Sequence, residues 1–147
     1  MNPSIFDNPE GIASEIEAEI RALAVRNTPN VRAIRCGYSR LLQKADPEFV
    51  LAVARALLTN YNHREFAYEL IAHHRAAFQR IGEAELEELG QGIDSWWSVD
   101  SLARALAGPA WLKGQVSDEL FVRWAQSEDL WRNNLNTGLK NPRRHAR

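Results

Sequence analysis

Residues 94–108, DSWWSVDSLARALAG, set two adjacent tryptophans, Trp96 and Trp97, just ahead of Asp100. On a helix turning about 100° per residue, Val99, Leu102, Ala103 and Leu106 form one apolar stripe. Trp96 falls at a border of that stripe with Asp100 beside it, whereas Trp97 and Arg104 point nearly opposite. One use for large rings outside a core is to offer their faces to a cation or a nucleobase, with the carboxylate stabilising positive charge. The structural reading is an Asp100–Arg104 pair four residues apart, worth a few tenths of a kcal/mol, with Trp97 covered by the next helix. The residues alone leave both open, and favour the structural one.

Other chemistry is thinly represented. His73 and His74 are adjacent and face different directions, so they make a poor metal pair; no metal is expected. There is no glycine-rich phosphate loop and no Ser–His–Asp set, and no cofactor is expected. The single cysteine, Cys36, excludes an internal disulfide and suits a reducing compartment. Residues 1–11 carry neither a basic start nor an apolar run, so they do not read as a secretory signal. The most apolar stretch, 49–58, is interrupted by Arg55 and too short to span a bilayer. A cytoplasmic protein with no membrane partner is expected.

Net charge is −1, so bulk charge selects no partner, but the charges are segregated. Residues 21–44 hold Arg21, Arg26, Arg32, Arg35, Arg40 and Lys44 and no acid; residues 132–147 hold Arg132, Lys140, Arg143, Arg144 and Arg147, again with none. Such a distribution makes a positive face on a neutral protein, the usual footprint for phosphate, or simply solvated helix faces.

The elements that must hold these residues all read as helices. Asn8 caps and Pro9 opens a first helix carrying Ile12, Ile16, Ile20 and Leu23; NTPN breaks it. A second helix, after VRAIRCG, carries Tyr38, Leu41 and Leu42. Asp46 and Pro47 start a third, and Asn62 with Glu65 resembles a capping box for a fourth holding Phe66, Leu70 and Ile71. GEAELEELGQG is a short acidic helix. Ser95 caps the tryptophan helix and AGP ends it, while Ser117 and Ser127 cap two more. No stretch alternates with period two. The expected fold is all-α, stacked helical hairpins over residues 1–135 with a basic, disordered tail over 136–147; a compact irregular bundle is the alternative.

Four segments, VRAIRCGYSRLL, HREFAYELIAHH, SWWSVDSLA and RWAQSEDLWR, taken in this order, resemble the bacterial DNA alkylation repair family over about residues 12–131. The resemblance rests on the Trp–x3–Asp of WWSVD and on Trp124 and Trp131, seven apart with Ser127 between them. It implies a HEAT-like α-solenoid and a DNA glycosylase that releases cationic N3- and N7-alkylated purines from duplex DNA, acting as a monomer. It implies Asp100 as the catalytic aspartate and Trp96 as the tryptophan four residues before it, with Trp97 as a competing substrate-binding ring. Arg32, Arg35 and Arg40 would then hold the DNA backbone. The family's arginine, three residues after the second tryptophan, is here Asn134, and the family's further helix pairs are expected to be missing, as in a shortened chain. The alternatives are a non-catalytic helical-repeat module that binds DNA or protein, and a vestigial fragment.

Overall fold

The computed structural model describes residues 8–126, in which every regular element is a helix and there is no strand. The chain divides into two compact units, one ending at Phe78 and the other beginning at Gln79.

In the first unit α1 spans Pro9–Arg21, α2 Thr28–Leu41, α3 Pro47–Tyr61 and α4 Arg64–Ala72. Helix α1 packs on α3, and α2 on α4, while α3 also packs on α4 and α1 on α2. Contacts between next-but-one helices as well as between neighbours are what stacked helical hairpins require, because each hairpin buries its apolar side on the following one. The α1 stripe Ile12, Ile16 and Ile20 is almost wholly covered, as are Val50, Val53, Ala54 and Leu57 of α3 and Phe66, Leu70 and Ile71 of α4. Burying each large aliphatic side chain contributes about 1.5–3 kcal/mol, so this shared core dominates the unit's stability. Helix α2 differs: Arg35 is its buried residue, and its Leu41 is 41% exposed.

Caps follow the sequence at Asn8, whose Oδ1 accepts from Gly11 N at 3.1 Å, and at Asp46, whose side chain accepts from Glu48 N at 2.9 Å. Two expectations are corrected. NTPN does not separate helices but opens α2: Asn27 Oδ1 accepts from Asn30 N at 2.9 Å, and Pro29 sits in the first turn, where no N–H is needed. The second helix therefore begins before VRAIRCG, not after it. Asn62 does not cap α4 either. It ends α3 at φ 56°, a left-handed conformation that asparagine tolerates, and its N–H bonds Leu58 O at 3.2 Å. His63 takes the N-cap position of α4 without a side-chain cap bond.

A short α5, Arg75–Gln79, spans the boundary between the units. The second unit holds α6 (Glu83–Leu89), α7 (Trp96–Leu102), a π-turn over Ala103–Ala107, α8 (Gly108–Leu112) and α9 (Asp118–Ala125). Helix α9 is tied back by Trp124, whose Nε1–H donates to Glu87 Oε1 at 2.5 Å, and by the Arg123–Glu83 ion pair. Trp124 and Phe121 meet edge to face at 5.4 Å, and Phe121 meets Trp111 likewise at 5.7 Å. Ser117 stands at the N-cap of α9 but makes no side-chain cap bond.

Candidate active site

Helix α7 starts where the sequence places it, with Ser95 Oγ accepting from Ser98 N at 3.2 Å. Val99, Leu102, Ala103 and Leu106 are all buried, which fixes the rotation of the helix. That rotation leaves Trp96 50% and Trp97 63% exposed, with Asp100 half-buried and Arg104 exposed. Trp97 is not covered by a following helix among the described residues, so packing does not account for its ring. Burying an indole is among the larger single gains available to a small core; two left open one turn before a carboxylate make an apolar platform beside a negative charge. The next residue, Ser101, is buried, and its Oγ has no hydrogen-bond partner among the described residues.

AGP does not terminate this helix, which is the third correction. The chain continues through the π-turn, where Gly108 N bonds Ala103 O, into α8. Two features favour the extra residue. Pro109 cannot donate to the usual ladder, and a wider turn immediately before it relieves the clash of its ring with the preceding turn. In addition, Leu102, Leu106 and Ala110 are spaced by four and all are buried, a spacing that drifts off one face of a regular helix but stays on it across a wider turn. The four-by-four apolar spacing ahead of Gly–Pro is the signal that could have revealed this turn.

The three arginines assigned to the DNA backbone sit in the first unit in unlike settings. Arg32, 47% exposed, donates through Nε to Glu69 Oε1 at 3.2 Å and lies 3.7 Å from Glu65. Arg35 is 9% exposed, with Nε 3.9 Å from Glu69 and Nη1 donating to Ser39 at 3.1 Å. Arg40 is exposed. Burial removes Arg35 from any phosphate-facing role and makes it a support for Glu69. Although residues 21–44 contain no acid, α4 supplies two, which linear charge patterning does not register.

Other polar groups are structural. His74 is buried with both ring nitrogens committed, Nδ1 accepting from Ala77 N at 3.0 Å and Nε2 meeting Ala45 O at 3.1 Å. Burial, with Arg35 nearby, lowers the pKa of His73. A groove of about 630 Å³ in the first unit is lined by Glu15, Glu19, Leu23, Ile34, Tyr38 and Leu41. Its two carboxylates oppose a phosphate chain there. The Tyr38 hydroxyl donates to Glu19, and burial together with that contact raises its pKa. Among the described residues no group of three His, Cys, Asp or Glu side chains is placed to hold a metal ion, and no helix is long and apolar enough to cross a membrane. Ser127, Trp131, Asn134 and the 136–147 tail lie outside the described residues.

Stacked hairpins in the first unit and an exposed tryptophan pair beside an aspartate in the second define an all-α helical-hairpin protein with an aromatic–carboxylate face. The model of the DNA alkylation repair enzyme family matches residues 10–135, and the chain belongs to that family. No curated protein and no solved structure matches it.

Proposed function

We propose that this chain is a DNA alkylation repair protein of the base-excising kind, a glycosylase acting on cationic N3- and N7-alkylated purines in duplex DNA. The observation that carries the reading is the Trp97 ring, 63% exposed one turn before the half-buried Asp100. An alkylated purine already bears positive charge, so it leaves as a neutral base, taking the electron pair of the glycosidic C–N bond. No acid and no metal is needed to activate it. What the reaction lacks in water is stabilisation of the oxocarbenium-like sugar and a placed nucleophile. Asp100 supplies the first as a fixed carboxylate and the second by accepting a proton from the attacking water, as carboxylates do in glycoside hydrolysis. Trp96 and Trp97 present π-faces, which favour the cationic base and sugar over their neutral products. Arg32 and Arg40 give the backbone contacts of this reading, Arg32 after exchanging one carboxylate for phosphate. Asn134, in the place of the family's arginine, removes a cation, so a slow turnover is expected.

The test is release of methylated purine from N7-methylated duplex DNA by the full chain. The expected result is slow release by the wild type and none by Asp100→Asn, with the variant melting within about 0.5 kcal/mol of the parent because Asp100 lies at the edge of the core. Equal release by both proteins, or by neither, would overturn the catalytic reading. Duplex binding without release would instead establish a non-catalytic DNA-binding module.

A further inference from the structure

At about 100° per residue, Trp96, Asp100, Arg104 and Trp97 fall, in that angular order, within an arc of roughly 100° on the side of α7 away from the core. The observed exposures place both tryptophans and Arg104 in the open while Val99, Leu102, Ala103 and Leu106 are buried, and Ser101, about 40° beyond Trp97, is buried too and bounds the open arc on that side. In angle Arg104 thus falls between the carboxylate and the outer indole, while along the axis it lies one helical turn, about 6 Å, beyond Asp100. It is also the second residue of the π-turn Ala103–Ala107, which Gly108 N closes onto Ala103 O. Turns of this kind bulge the backbone outward and recur where a helix presents functional side chains.

We propose that Arg104 contacts a DNA phosphate at this same site, gripping the phosphodiester beside the nucleotide whose sugar faces Asp100. The inference rests on the base-excision reading and adds to it a positioning residue on the helix that carries the carboxylate. The chemistry favours phosphate as the ligand. A guanidinium presents a planar fork of donors that matches two phosphate oxygens, and the neighbouring indoles offer it no anion. Asp100, four residues earlier, can pair with it along the helix, but such surface pairs are weak beside a charge-assisted bidentate contact with phosphate. When the backbone binds, the cation therefore turns to phosphate, and the carboxylate is left to the sugar. As the cation on the same face, Arg104 also offsets the repulsion between Asp100 and an approaching polyanion.

The experiment measures binding of the full chain to a labelled, undamaged duplex as salt is varied, for wild type, Arg104→Ala, Arg104→Lys and Asp100→Asn. Losing one phosphate contact flattens the slope of log K against log salt by about 0.9 and weakens binding roughly tenfold at low salt. The slope should return in Arg104→Lys, where a point charge is restored, and should not flatten in Asp100→Asn, where a competing carboxylate is removed. A wild-type slope in Arg104→Ala would overturn the phosphate contact, and base release lost in Asp100→Asn would then show the excision reading standing without it. A flattened slope shared by the alanine and lysine variants would mark a disturbed helix and overturn the proposal too. No base release by the wild type, with the slope still dependent on Arg104, would remove the excision reading while leaving this contact in place. Binding without salt dependence would overturn the phosphate contact whatever the base-release result.

Discussion

Replacing Glu69 by glutamine should destabilise the first unit and, if the proposed DNA contacts hold, tighten duplex binding. The Glu69 carboxylate is shared: Oε1 accepts from Arg32 Nε at 3.2 Å and Oε2 lies 3.9 Å from Arg35 Nε. The two guanidiniums are not equivalent, with side chains 47% and 9% exposed. Breaking a fully buried ion pair costs about 3–5 kcal/mol, because the surviving charge is left without compensation, whereas an exposed pair is worth about 0–1 kcal/mol. Arg35 sits near the buried limit, but its separation from Glu69 is long, and Glu69 itself keeps 17% of its surface in water. A loss of about 2 kcal/mol follows, nearly all of it through Arg35. With a denaturant slope of about 2 kcal/mol/M, the urea midpoint should fall by roughly 1 M. Removing both charges together, as in Arg35→Met with Glu69→Leu, should recover most of the loss, since a desolvated pair gains little over packed apolar groups. The same Glu69→Gln change releases Arg32 toward phosphate, so duplex affinity should rise and its salt dependence steepen. A urea midpoint within about 0.2 M of the wild type would refute the assignment of Arg35 as a buried cation dependent on Glu69. Unchanged duplex affinity would refute the placing of Arg32 at the DNA.

Two further outcomes probe the units separately. Glu17 accepts from His63 and from Arg21 Nε, and the His63 contact chiefly holds its carboxyl below the usual value of 4.5. The stability it contributes is present above that value and lost as pH falls through the lowered one, so Glu17→Gln should flatten the acid limb of a stability–pH curve below about pH 4.5; an unchanged acid limb counts against the pair. In the second unit, Trp124 is 1% exposed and Trp97 63%. Trp124→Ala should therefore cost about 3–5 kcal/mol and Trp97→Ala less than about 1.5 kcal/mol. Comparable losses in urea unfolding would mean that Trp97 is a packing residue and not an exposed platform.

Much of this protein was legible along the chain, wherever a property depends on residues within a turn or two of each other. The 3.6-residue repeat of Ile12, Ile16 and Ile20, and the pairing of Asn8 with Pro9 and of Asp46 with Pro47, specify where α1 and α3 begin and which faces they bury. The same local geometry set the rotation of α7 and turned Trp97 away from the apolar stripe, but that its ring stays exposed rather than covered by the next helix, as the residues alone favoured, came only with packing. The resemblance carried by WWSVD and its companion segments is confirmed by the family match over residues 10–135.

What escaped sequence reasoning depended on competition or on distance. Asn62 is chemically suited both to start a helix and to end one, and the left-handed close of α3 claims it first. Gly–Pro reads as a stop until the burial of Leu106 and Ala110 on one face supplies a reason to continue through a π-turn. Arg35 looks like its basic neighbours in a run without acids, yet folding sets Glu69, far along the chain, against it and takes it out of water. Local periodicity reports which face of a helix is apolar; only packing decides which charged side chains meet a partner there and which are left for a ligand.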